Sequence, residues 1–211
     1  VLITGHTGFK GSWLSLWMQS LSAKVIGIAL DPPTSPNLFE EANVADGMIN
    51  ITEDIRDLKS IKKIFFKYQP EIVFHLAAQP LVLYSYNHPV ETYSTNVMGT
   101  LNILESIRSI DSVKSSVMIT SDKCYENVEK SEGYKETDPM GGNDPYSSSK
   151  GATELLISSY RRSYFHTVNN KVSIASARAG NVIGGGDWAE NRLIPDIIFA
   201  LENKKKINIR S

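Results

Sequence analysis

The sequence predicts an open α/β fold, a doubly wound parallel sheet with helices on both faces. Two observations predict it. Apolar, β-rich runs alternate with helically spaced apolar residues from the first residue onward, and a glycine-bearing loop joins the first strand to the first helix. Composition agrees, since 41% hydrophobic and 21% charged residues in a chain of 211 is ordinary for a globular protein and argues against disorder.

The elements follow in order. Val1–Thr4 reads as the first strand. Gly11–Leu21 sets Trp13, Leu14, Trp17, Met18 and Leu21 at three- and four-residue spacings, which is an amphipathic helix. Lys24–Leu30 is a second strand, and the three prolines of Asp31–Asn37 make the next stretch a loop. Met48–Ile51 is a short strand, Leu58–Tyr68 a helix ended by Pro70, Glu71–Leu76 a buried strand, and Val90–Ser109 a long helix after Pro89. Ser115–Thr120 is the fifth strand. Turn residues crowd Thr137–Asp144, Tyr146–Phe165 is helical, Lys171–Ala179 is the sixth strand, and a last helix lies near Ile194–Glu202. The chain opens on one strand pattern and stops in another, at Lys206–Ser211, so a fragment of a longer protein is expected.

Several classes are disfavoured at once. With 22 Lys and Arg against 23 Asp and Glu the net charge is −1, which supplies no field to capture nucleic acid. No apolar run reaches the roughly 18 residues of a membrane helix. Cys124 is the only cysteine, which forbids an internal disulfide and fits a reducing, cytoplasmic setting. His6, His88 and His166 show no metal-ligand spacing, so no metal site is expected.

The loop Thr4-Gly5-His6-Thr7-Gly8-Phe9-Lys10-Gly11 sits between strand and helix. Glycines are needed where a backbone turns sharply and approaches a pyrophosphate, and the helix start behind them offers unpaired N–H groups to an anion. Asp31, at the end of the second strand and twenty residues after Gly11, suits a ribose diol and would repel a 2′-phosphate, favouring NAD over NADP. Asp54, after the third strand, is placed for the adenine edge.

Tyr146 and Lys150 open the helix after the turn-rich loop. Residues four apart share a helix face, so the Lys150 ammonium is expected beside the Tyr146 phenol, stabilising its phenolate. Bringing a phenol from its usual 10 to neutrality takes about 4 kcal/mol. Ser121, Asp122 and Lys123 follow the fifth strand, where ligands of open α/β sheets bind, and Ser121 can orient a substrate hydroxyl toward Tyr146. Cys124 reads as a small buried residue, not a nucleophile. His75 reads as a packed strand histidine, and Asn96 as a mid-helix residue serving a local bulge or a water path.

Together these residues resemble the extended short-chain dehydrogenase/reductase family, a Rossmann-type architecture. The resemblance runs through the G-x-x-G-x-x-G loop, the Tyr146/Lys150 pair and Arg178-Ala179-Gly180-Asn181-Val182-Ile183-Gly184. Within that family the segments TGHTGFKGSWLSLW (4–17), LDPPTSPNLF (30–39), HLAAQPLV (75–82), TYSTNVMGT (92–100), ITSDKCYEN (119–127), DPYSSSKG (144–151) and RAGNVIGGGDW (178–188) are similar to sugar-nucleotide 4,6-dehydratases that act on CDP-glucose. Related dehydratases carry Asp-Glu where Asp122-Lys123 stands, and 4-epimerase relatives lack the acid.

The resemblance implies NAD as cofactor, held by Gly5, Gly8, Phe9, Lys10 and Gly11 at the pyrophosphate and by Ala77, Ala78 and Gln79 under the nicotinamide ribose. It implies that Asn181, Arg192 and Leu193 hold the nucleotide part of the substrate. Leu83 departs from the pattern, standing where a basic residue is often expected. The implied chemistry is oxidation at C4 with Tyr146 as base, loss of the 6-hydroxyl with Asp122 as acid and Lys123 assisting at C5, and hydride return to C6. It further implies residues 1–180 as the cofactor-binding domain, residues 181–211 as the start of a smaller substrate domain that continues beyond Ser211, and a homo-oligomer, dimer or tetramer, formed through the long helices. The alternatives are another nucleotide-sugar dehydratase or 4-epimerase on the same fold, and a non-enzymatic dinucleotide-binding module.

Overall fold

The computed structural model describes residues 1–165 and 172–207. Six parallel strands form one sheet: β1 (Leu2–Thr4), β2 (Ile26–Ala29), β3 (Ile49–Thr52), β4 (Ile72–His75), β5 (Ser115–Ile119) and β6 (Ser173–Ala177). Their order is β3-β2-β1-β4-β5-β6. Chain progression reverses between β1 and β4, which opens a crevice outside their carboxyl ends, where such sheets bind ligands. Leu2 pairs with Ile26 on one side and Val73 on the other, and Thr4 with Ile28 and His75. β1 and β2 are buried throughout, which is why they read as unbroken apolar runs without alternation. The strand pattern at Lys206–Ser211 runs into residues 208–211, outside the described residues, as do His166 and Lys171.

The helices are α1 (Phe9–Ser20), α2 (Leu38–Glu41), α3 (Leu58–Tyr68), α4 (Val82–Asn87), α5 (Pro89–Tyr93), α6 (Thr100–Arg108), α7 (Pro145–Tyr160) and α8 (Leu193–Glu202). The long helix expected after Pro89 is present, but a π-helical segment, Ser94–Gly99, divides it into α5 and α6. The short α2 and α4 carry too few residues for a periodic signal. α3 shows local chemistry acting as expected: the Asp57 carboxylate accepts from the amides of Lys59 and Ser60, and Gln69, in the left-handed region at φ 45°, ends the helix before Pro70. The main core joins Leu2, Ile28, Val73 and Met118 of the sheet to Ile61 and Phe65 of α3, Ile103, Leu104 and Ile107 of α6, and Ile157 of α7. Each such side chain contributes about 1.5–3 kcal/mol on burial.

α1 turns its small residues inward. Its buried residues are Gly11, Ser12 and Ser15, whereas Trp13, Trp17 and Leu21 of the apolar stripe are 49%, 62% and 62% exposed. The reason is close approach. A methyl group on Gly11 would lie 2.0 Å from the Gly5 carbonyl oxygen, so only small residues fit the inner face. Ser12 donates to the His6 carbonyl at 3.0 Å, and Trp13 reaches out to donate its indole N–H to the Gly185 carbonyl at 2.9 Å.

His75 is packed, as expected. Nδ1 and Nε2 meet the hydroxyls of Thr4 and Thr100 at 2.7 and 2.9 Å, and burial, with Lys150 adding to it, pushes the imidazole down to about 3. The unfolded chain takes up this proton near 6.5 and the folded chain does not, so stability falls as pH drops from 6.5 toward 3, by at most about 1.4 kcal/mol per unit. A His75→Gln variant is expected to show a shallower fall of melting temperature across that window. An unchanged slope would contradict the assignment.

Candidate active site

The glycine loop leaves β1 and returns as α1. Gly5, at φ +74°, packs against β4's exit, where a methyl group would lie 2.7 Å from the Ala77 amide. α1 begins at Gly8 with no side-chain cap, so the amides of its first turn, Phe9 to Gly11, point outward without an intrahelical partner. An uncapped helix start behind a loop in which Gly5 and Gly11 leave no room for a Cβ fits an anionic pyrophosphate. Thr7 donates to the Leu30 carbonyl at 2.9 Å and pins the loop to the end of β2, beside the exposed Asp31. Lys10 lies at the exposed start of α1.

Asp54 is less free than expected. Arg56 engages both its carboxylate oxygens at 2.6–3.0 Å, and that bond holds its carboxyl below the usual range. Ala77, Ala78 and Gln79 leave the end of β4 beside the glycine loop. The Gln79 side chain is spent inside the protein, on Leu81 and Thr92, so this residue offers its backbone to a ligand.

On the other side of the crevice α7 is capped by Asp144, whose carboxylate accepts from the Ser147 amide at 2.9 Å, with Pro145 in the first position. This start places Tyr146 on the first turn, 8% exposed, and Lys150 one turn deeper, 5% exposed. Ser121 caps the 3₁₀ turn Asp122–Cys124: its hydroxyl accepts from the Lys123 amide at 3.2 Å, donates to Asp122 at 3.1 Å and faces the Tyr146 phenol. Asp122 and Lys123 are exposed at the crevice. Cys124 is fully buried and its thiol is pushed up to about 11 by burial, in keeping with an inert core residue.

Burial raises the Tyr146 phenol; the Ser121 hydroxyl and then the charge of Arg192 pull it the other way. Burial and the nearby Lys10 bring the Lys150 ammonium down to about 8, against the opposing charge of Glu154. Arg192, the residue at the start of α8, lies 3.5 Å from Asp187. Asn181 and Leu193 are exposed.

A sequence profile of the GDP-mannose 4,6 dehydratase family matches residues 2–206. The chain belongs to this family. It is 55% identical to the CDP-glucose 4,6-dehydratase of Salmonella typhimurium over 214 residues, covering 100% of this chain and 60% of that protein. The chain thus spans about 60% of the length of this curated relative. Among solved structures it is similar to the UDP-glucose 4-epimerase of Thermus thermophilus in complex with NAD (TM-score 0.77, 30% identity, 90% of this chain and 58% of that one). It is also similar to the UDP-glucose 4-epimerase of Thermotoga maritima with UDP-glucose (TM-score 0.85, 25% identity, 100% and 65%).

Two features of this family member escaped the sequence reading. Asn96 does lie in a bulge, but its amide is a clamp: Oδ1 accepts from the Gln79 amide at 2.8 Å, and Nδ2 donates to the Gln79 carbonyl at 3.1 Å and to Ser149 at 2.8 Å. It ties β4's exit to the catalytic helix, and the π-helical segment supplies the angle. Glu154 is buried one turn beyond Lys150. Its spacing from Lys150 was the available signal, since residues four apart on a helix share a face.

Proposed function

We propose that the protein is an NAD-dependent CDP-glucose 4,6-dehydratase, a hydro-lyase that converts CDP-glucose to CDP-4-keto-6-deoxyglucose and water. The observation that carries this reading is the 55% identity to a CDP-glucose 4,6-dehydratase across the whole chain, in which Ser121, Asp122, Tyr146 and Lys150 line one crevice beside an uncapped glycine loop.

The glycine loop and first turn of α1 would hold the pyrophosphate of NAD, Asp31 the adenosine ribose, the 77–79 segment the nicotinamide ribose, and the backbone near Asp54 the adenine. NAD, when bound, supplies a reversible hydride acceptor and adds positive charge beside the phenol. Ser121 orients the sugar 4-hydroxyl and Tyr146 takes its proton as C4 is oxidised. The 4-ketone acidifies the C5 proton, and Asp122 donates a proton to the departing 6-hydroxyl; the hydride that completes the product at C6 is chemistry that the cofactor would supply. Lys123 is assigned to C5 deprotonation. A lysine base needs its ammonium withdrawn from water, and the residues described here leave Lys123 exposed. Lys123→Ala is expected to stop elimination while C4 oxidation continues, read as solvent deuterium no longer entering C5; unaltered elimination would remove Lys123 from the mechanism.

Residues 181–211 are read as the start of the substrate domain, with Arg192 reaching the nucleotide-sugar and Asn181 and Leu193 beside it. Val90 on α5, Met98 on the π-helical segment between α5 and α6, and Leu155 on α7, all exposed, support a homo-oligomer through these helices, testable by sedimentation of Leu155→Glu. The lone buried Cys124 supports a cytoplasmic location, testable by fractionation. The decisive assay incubates full-length protein with CDP-glucose, using UDP-, GDP- and dTDP-glucose as controls, and follows the near-UV absorbance of 4-ketosugars in alkali. Turnover confined to another nucleotide, or inversion at C4 without water loss, would overturn the proposal in favour of another nucleotide-sugar enzyme on this fold.

A further inference from the structure

Glu154 is 5% exposed, and both its carboxylate oxygens are used. Oε1 accepts from the Thr120 hydroxyl; Oε2 accepts from Ser176 at 2.9 Å and from Arg178 at 2.8 Å. The carboxylate thus joins α7, the end of β5 and β6. Arg178 is held in turn: it donates to the Tyr125 hydroxyl at 2.9 Å and to the Glu136 carbonyl at 3.3 Å, and its guanidinium lies 5.0 Å from the Tyr125 ring, which stacks on Tyr134. Packing alone does not call for this arrangement, because a buried ion pair is often no more stabilising than apolar residues of the same volume. What it adds is direction and charge. Thr120 immediately precedes Ser121, and Glu154 lies one turn from Lys150.

The geometry points to the Glu154–Arg178 pair as a positioning device for the catalytic groups, fixing the Thr120–Ser121 segment and supplying the negative charge that holds the Lys150 ammonium. This rests on the roles assigned above to Ser121, Tyr146 and Lys150. The charged and titratable groups facing Lys150 are Lys10, His75 and Glu154, and those facing Glu154 are Arg178, Lys150 and the Cys124 thiol. Of the groups facing Lys150, Glu154 alone opposes loss of its proton, while burial and Lys10 favour it. Arg178, Thr120 and Ser176 in turn keep Glu154 ionised in its buried position.

The test compares wild type, Glu154→Gln, Glu154→Asp and Arg178→Met in the full-length enzyme. One readout is kcat against pH with CDP-glucose. The other is the pH dependence of acetic-anhydride labelling of Lys150, read by peptide mass and independent of turnover. Removing the carboxylate charge is expected to move the alkaline edge of kcat and the labelling edge of Lys150 to lower pH together, by about one unit. Arg178→Met is expected to do the same, because an unpaired buried carboxylate takes up a proton. Glu154→Asp restores most of both edges. A folded Glu154→Gln or Arg178→Met protein whose Lys150 labels as in wild type overturns the inference, even where kcat has fallen. Should one variant fail to fold, the other decides. A wild type that labels as expected yet does not turn over CDP-glucose overturns the substrate reading and leaves this inference standing.

Discussion

Tyr146→Phe is expected to lower turnover by about 10²–10⁴-fold, the range that a positioned acid–base group contributes, while the fold and NAD affinity persist. The ring sits 8% exposed on the first turn of α7, so phenylalanine preserves its packing and removes only the hydroxyl that faces Ser121. The sign of the pH dependence follows from the surroundings. Burial favours the neutral phenol, so the base form grows in as pH rises, helped by Ser121, by Arg192 and by the positive charge that the oxidised cofactor adds. Wild-type kcat therefore falls on the acid side, and the residual rate of Tyr146→Phe is expected to be flat there. A variant that keeps the wild-type rate, or keeps the acid limb at reduced rate, would assign the base to another residue.

Gly11→Ala is expected to be the most damaging single methyl group in the cofactor site. It would stand 2.0 Å from the Gly5 carbonyl oxygen and 2.8 Å from the His6 Cα. These are backbone atoms and cannot rotate aside, so the loop itself must move. Overpacking of this kind costs about 1–3 kcal/mol. If that displacement falls on the first-turn amides, NAD affinity weakens by about ten- to hundredfold, at 1.4 kcal/mol per decade. Gly133, with nothing within 4 Å of an added methyl, provides the control. Melting temperature and NAD titration of both alanine variants give the comparison, and wild-type affinity in Gly11→Ala would refute the assignment of the loop.

The parts of the site legible in the sequence are those set by neighbours along the chain. The glycine loop is one, because only glycine admits the Gly5 conformation and the approach of Gly11. The start of α7 is another, since Asp144, Pro145 and the Tyr146/Lys150 spacing lie within a few residues. His75 was likewise read correctly as packed, from the apolar run that it ends, and Cys124 as a small buried residue, from the lack of a sequence neighbour to activate its thiol. The inward face of α1 was not legible because helical spacing reveals two faces without saying which is inward, and backbone contact with the loop decided for the small one.

Sequence by itself determined the alternation of strands and helices, the glycine loop between β1 and α1 and the Tyr146/Lys150 spacing at the start of α7, because these rest on periodicity and local turn chemistry. Only the tertiary structure decided which charges meet. Asn96 clamps Gln79 and Ser149, and Glu154 meets an arginine 24 residues away. Each of these pairings depends on where a crossover lands its helix against the sheet, and that position is set by burial of the whole core, which no local spacing encodes.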